Sequence, residues 1–117
     1  MVYWRNVNSV TPYTPPNHSG TRNRRIIGAN DGMENMEVII GEIDPGGIAD
    51  PHYHDDIEQS MYILSGEMEV VINNKEQVLS SGDAVIIPKK AMHKVTSVGD
   101  VPVRFVLVYS PPLNKQY

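Results

Sequence analysis

Four histidines occur in the 117 residues, and two of them, His52 and His54, form a His-x-His pair. On a strand, positions i and i+2 face the same side, about 6.6–7 Å apart along the rise. Two imidazoles so placed can converge on one ion at roughly 2.0–2.1 Å each. His93 is remote in sequence, following an apolar run and Pro88. Asp55, Asp56, Glu58 and Gln59 place oxygen donors within five residues of His54. Nitrogen and oxygen donors without sulfur suit a divalent Zn, Fe, Mn, Ni or Co ion. The chain has no cysteine, which excludes a thiolate site, a cysteine nucleophile and a disulfide scaffold. No Ser/His/Asp or paired-carboxylate constellation accompanies the histidines, so any chemistry must lean on the metal. Taken alone, the His-x-His pair reads equally well as part of a polar loop.

The elements that must position these residues are strands. Nine prolines and nine glycines punctuate the chain. Between them lie β-branched runs at 24–28, 36–43, 59–64, 67–73, 77–79, 84–87, 93–98 and 103–109. Short runs at 8–12-residue spacing predict an all-β sandwich or barrel. Asp44-Pro45-Gly46-Gly47, Asn73-Asn74 and Ser81-Gly82-Asp83 supply turns, because they fix φ or tolerate positive φ. No window shows helical apolar spacing. Met36, Val38 and Ile40 on one strand, and Phe105, Leu107 and Tyr109 on another, are expected to line the interior. Within 59–64 both faces are apolar enough to be interior, so hydrophobicity alone leaves Gln59 and Glu58 as alternatives for a fourth ligand. Adjacent Asp55 and Asp56 suggest a loop or bulge that resets strand parity.

Gly46, then His52-Tyr53-His54, then Tyr62-Ile63-Leu64-Ser65-Gly66-Glu67, resembles the first motif of the cupin superfamily. Gly82-Asp83-Ala84-Val85-Ile86-Ile87-Pro88 followed by His93 resembles the second. The two motifs cover about half the chain and are about fifteen residues apart, as in small bacterial cupins. Two positions depart from the family pattern: Lys90 stands where a glycine is usual, and Ser97 where an asparagine often is. The resemblance implies an antiparallel jelly-roll barrel, a single domain, with a metal inside one end held by His52, His54, Gln59 and His93. Spacing from Gly66 selects Gln59, where members usually have glutamate, over Glu58. It further implies a metal-dependent enzyme acting on a small oxygen-rich molecule: a uronate- or sugar-type isomerase or lyase, or a dioxygenase. The alternative is a binding module that holds a metal or small ligand without turnover. Tyr53, Tyr62, Tyr109 and Arg24 are candidates for assisting such chemistry.

Net charge is −4, split unevenly. Residues 1–30 carry four arginines and no acid; residues 31–117 carry six basic and fourteen acidic side chains. An acidic body argues against a nucleic-acid surface. No apolar run approaches the roughly 18 residues of a membrane helix, and no secretory apolar region follows Met1, so a cytoplasmic location is expected. Residues 1–23, with Pro12, Pro15 and Pro16, are expected to form an extended arm, and 24–117 the barrel. The arm's Tyr3, Trp4 and Tyr13 suggest docking, and a homodimer in which the arm takes part is expected. Of Arg24 and Arg25, strand alternation points one inward, where it could hold a substrate carboxylate. His18 reads as a loop residue.

Overall fold

The computed structural model describes residues 3–113; the outermost ends of the expected arm and barrel, 1–2 and 114–117, lie outside them. Among the described residues, nine strands form two antiparallel sheets. They are β1 (Thr21–Ile27), β2 (Glu37–Ile43), β3 (Ile48–His52), β4 (Glu58–Ser65), β5 (Met68–Ile72), β6 (Lys75–Leu79), β7 (Ala84–Ile87), β8 (His93–Ser97) and β9 (Val103–Ser110). One sheet runs β1-β2-β9-β4-β7 and the other β3-β8-β5-β6. Their inner faces share one apolar core that includes Ile39, Ile63, Met68, Val95, Phe105 and Leu107. This is the all-β jelly-roll arrangement expected. Burial of each such side chain contributes about 1.5–3 kcal/mol.

Turn chemistry sets the corners. Asn73 and Asn74 both adopt positive φ, 47° and 68°, and close β5 onto β6 as a two-residue hairpin. Gly66 has φ 79°, and a Cβ there would lie 2.5 Å from the Pro102 carbonyl oxygen, so this corner needs glycine twice over.

Strand parity departs from expectation on β2. Glu37, Ile39, Gly41 and Ile43 face inward; Val38 and Ile40 face outward, and Met36 precedes the strand and is exposed. Isoleucines stand on both faces, so alternation could not choose between them. The inward set carries a glutamate because a counter-charge waits inside: Arg25 Nε donates to Glu37 Oε2 at 3.0 Å. On β9, Phe105, Leu107 and Tyr109 face inward as expected.

β1 begins at Thr21, three residues before the expected barrel boundary, so Asn23 belongs to the sheet. The preceding arm docks on its own barrel. Tyr13 exchanges backbone hydrogen bonds with Asn23 at 2.9 and 2.8 Å, and Ser19 does so with Ile48 at 2.9 and 3.2 Å. Arg5 grips both carboxylate oxygens of Asp31. Tyr3 and Trp4 stay exposed.

Candidate metal centre

His52 and His93 are direct cross-strand partners, which brings their ring centroids to 4.1 Å. Getting His52 inside requires a fault in the ladder. Ala49 already faces inward and is buried. Three residues on, regular alternation would turn His52 outward. The register slips by one between Ala49 and His52, a bulge that restores the inward direction. Pro51 sits within it, where a missing N–H costs nothing. β3 ends at His52, so His54 lies just beyond the strand rather than on it. His54 nevertheless reaches the same point, 5.1 Å from His52 and 5.8 Å from His93 between ring centroids. One ring nitrogen from each of the three lies within 4.8 Å of the others.

The backbone selects the tautomers. His52 Nδ1 donates to Asp50 O at 2.7 Å, and His93 Nδ1 to Ala91 O at 2.9 Å. A carbonyl accepts only, so each Nδ1 carries the proton and each Nε2 presents a lone pair, as a metal ligand must. His93 Nε2 is buried with no hydrogen-bond partner among the described residues. So is Oε1 of Gln59, which lines the same cavity as His52 and His93. Gln59 faces inward on β4 at 6% exposure and Glu58 faces solvent. Orphaned buried lone pairs are costly, and a divalent cation is the one partner that would satisfy all of them. The residues therefore fit the metal that the motifs imply.

Two expected outcomes follow. Gln59→Ala weakens metal affinity about 10- to 100-fold, Glu58→Ala leaves it unchanged, and Gln59→Glu retains the metal; calorimetric titration with a divalent ion measures all three. A reversed result for Glu58 and Gln59 would place the fourth donor on the other face. The second concerns acid. Burial, reinforced by the charges His52 and His54 would carry, pushes His93 from 6.5 down to about 4. Between those values the unfolded chain binds a proton that the metal-free fold does not. Stability therefore declines as pH falls from 6.5 to 4, by up to ~3 kcal/mol. Thermal melts of metal-free protein should lose about 10 °C over that interval, and His93→Asn should flatten the slope.

Lys90, at the position where the motif usually has glycine, adopts φ 67°. Its N–H donates to His54 O at 2.7 Å, so strained backbone helps hold a ligand residue. Lys90→Gly is expected to stabilise the fold by about 0.5–1 kcal/mol, the relieved strain less the entropy of glycine. A melting temperature raised by a few degrees, with metal content unchanged, checks it.

A cavity of about 30 Å³ sits at the ligand atoms, and a wider mouth of about 210 Å³ opens beside them. Tyr109 lines both and lies 5.6 Å edge-on from His54. Tyr53 lines only the mouth, and Tyr62 points outward. Arg24 pairs with Ile40 on the outer face, away from the histidines, because β1 is in regular register there. Arg25 is the inward arginine, but it is engaged by Glu37 and by Tyr13, whose hydroxyl it reaches at 3.2 Å. The arrangement thus brings together His52, His54, Gln59, His93 and Tyr109 and leaves Arg24 out. It also adds His18, which lines both cavities 6.0 Å from His52. Burial lowers the pKa of His18 below its usual value. Only its proximity in the fold reveals it; it lies thirty-four positions before His52, in a proline-rich stretch without strand periodicity.

The family model for the cupin domain matches residues 39–109. Pectin degradation protein KdgF of Dickeya dadantii (strain 3937) is 35% identical over 75 residues, covering 64% of this chain and 66% of that protein. The chain spans between about half and two thirds of the length of such curated relatives. Among solved structures, KdgF from a Halomonas species superposes with a TM-score of 0.82 at 19% identity, covering 97% of each chain. The polyketide cyclase RemF from Streptomyces resistomycificus superposes at 0.83 with 22% identity, covering 99% of this chain and 88% of that one. At such identities the superpositions speak for the fold.

Proposed function

The chain belongs to the cupin family, and from that premise we propose that it is a metal-dependent enzyme acting on a small oxygen-rich molecule. The reaction class we favour is that of a uronate- or sugar-type isomerase or lyase, with oxygenation as the competing chemistry. The observation that carries this reading is the convergence of three imidazole nitrogens within 4.8 Å of one another beside a mouth large enough for a substrate. The similarity to a pectin degradation protein supports the first class over the second.

A divalent metal held by His52, His54, His93 and Gln59 would supply Lewis acidity at a substrate oxygen. The amide of Gln59 is neutral, so it leaves more of the ion's charge for that oxygen than a glutamate would. The Asp50 and Ala91 carbonyls fix the ring orientations of His52 and His93. Tyr109, nine-tenths buried, is the one tyrosine among the described residues that lines both cavities, and its hydroxyl would give or accept a proton. Apolar Leu107 and Phe105 keep bulk water from the floor.

The test is to load the purified protein with Zn, Mn, Fe(II), Ni or Co in turn. Loss of unsaturated-uronate absorbance and oxygen uptake are then followed. Turnover that disappears in His52→Ala is the expected result. Metal and ligand binding without turnover of either kind would identify a binding module instead.

A further inference from the structure

Four residues line both the deep cavity and the mouth: His18, Asn23, His52 and Tyr109. A molecule reaching from the mouth to the metal must pass all four. His52 and Tyr109 have roles above; His18 and Asn23 have none. We propose that His18 and Asn23 determine specificity, accepting hydrogen bonds from hydroxyl groups of a ligand whose other oxygens lie at the metal.

His18 is held by one hydrogen bond of its own ring and by the backbone hydrogen bonds of its two chain neighbours. Its Nδ1 donates to Pro16 O at 2.8 Å, so its Nε2 carries the lone pair. The flanking backbone is clamped to β3: Asp50 N donates to Asn17 O at 3.0 Å, and Ser19 exchanges bonds with Ile48. Asn17 takes φ 61° to make the bend. Asn23 is 4% exposed, and its Oδ1 has no hydrogen-bond partner among the described residues. Gly41 and the Phe105 ring adjoin that oxygen. A buried carboxamide oxygen left without a donor, in the wall of a cavity, is a site for a donor brought by a ligand. Both groups are acceptors, and both are pre-positioned, so little ordering cost accompanies binding. The ligand class that answers two acceptors beside a Lewis acid is a polyhydroxylated acid. An acid of the same size without hydroxyls would leave the carboxamide unpaired and be discriminated against.

This inference rests on the metal reading, so the experiment measures the metal first. Cobalt(II) content and visible spectrum are recorded for wild type, His18→Ala, His18→Asn and Asn23→Leu, with thermal melts to confirm folding. Calorimetry then compares D-galacturonate with cyclohexanecarboxylate, which keeps the six-membered ring and the carboxylate but has no hydroxyls. Wild type should bind galacturonate at least about tenfold more tightly, the effect of two added hydrogen bonds. His18→Ala and Asn23→Leu should each lose about fivefold to tenfold for galacturonate alone, with the cobalt spectrum unchanged. His18→Asn, which keeps an acceptor, should recover part of the loss. An altered cobalt spectrum in His18→Ala would make His18 a metal ligand and overturn the proposal. Equal affinity for the two acids, or no galacturonate binding by metal-loaded wild type, would also overturn it while leaving the metal centre standing. Wild type that takes up no cobalt would remove the metal reading and this inference together. If Asn23→Leu alone fails to fold, His18→Ala decides.

Discussion

Metal in the His93→Ala variant is expected to fall below about a tenth of an equivalent per chain, under conditions that saturate the wild type. A structural zinc site is worth about 10–16 kcal/mol over four donors. One donor is then worth roughly 3 kcal/mol, a hundredfold or more in affinity. His93 should exceed that share. It is 1% exposed, directly opposite His52, and its Nδ1 is already oriented by the Ala91 carbonyl. Alanine removes the donor, leaves a ring-sized void and frees the carbonyl. His52→Ala, at the more open side of the cluster, should cost somewhat less because water can take its place. Metal analysis after gel filtration, with calorimetry for the residual affinity, measures both. Full occupancy in His93→Ala would mean that the ion binds elsewhere.

Arg25→Ala is expected to destabilise the fold by about 3–5 kcal/mol, the usual consequence of stranding one member of a buried ion pair. Glu37 is 2% exposed, and Arg25 Nε is its charged partner at 3.0 Å. The guanidinium also stacks 5.0 Å from the centre of the Tyr13 ring, so its loss loosens the arm as well as the core. Denaturant unfolding of the metal-free protein gives the number. The paired change Arg25→Met with Glu37→Leu should recover most of it, because apolar residues of similar size remove the stranded charge. Arg25→Lys should recover little, since an ammonium cannot both meet Glu37 side-on and lie flat on Tyr13. A loss under about 1 kcal/mol in Arg25→Ala would show that Glu37 does not depend on this partner.

The strands were legible because turn residues bracket them. Ala84–Ile87 and the starts of β8 and β9 fall where the β-branched runs place them. β3 was not legible: Ile48-Ala49-Asp50-Pro51-His52 holds an acid and a proline and has no alternation. Its bulge is nevertheless what turns His52 inward. The inward direction of Gln59 was readable only from its distance to Gly66, because either face of β4 could have been interior. Glu37 could not be read at all. A charged residue enters a core only with a partner, and its partner lies twelve residues earlier on a different strand. His18 and Asn23 were hidden for a related reason. Nothing local marks them, and their significance arises from backbone pairing between the arm, β1 and β3.

The family segment, 39–109, contains every residue of the metal centre. Tyr13, His18, Asn23 and Arg25 all precede it. The candidate ligands thus come from one stretch of chain, while Tyr13, His18 and Asn23, a part of the mouth, come from the stretch before it, paired through β1 to β2 and through Ser19 to Ile48. The leading part can be exchanged like a collar on a socket, provided the new segment brings an arginine at position 25 to meet Glu37. A chimera that carries such a segment from another cupin is expected to keep the metal affinity of this barrel and change the molecules it admits. Laboratory recombination aimed at new substrates would do best to break the chain in the loop after β1, between Gly28 and Met36, leaving the ligand set untouched.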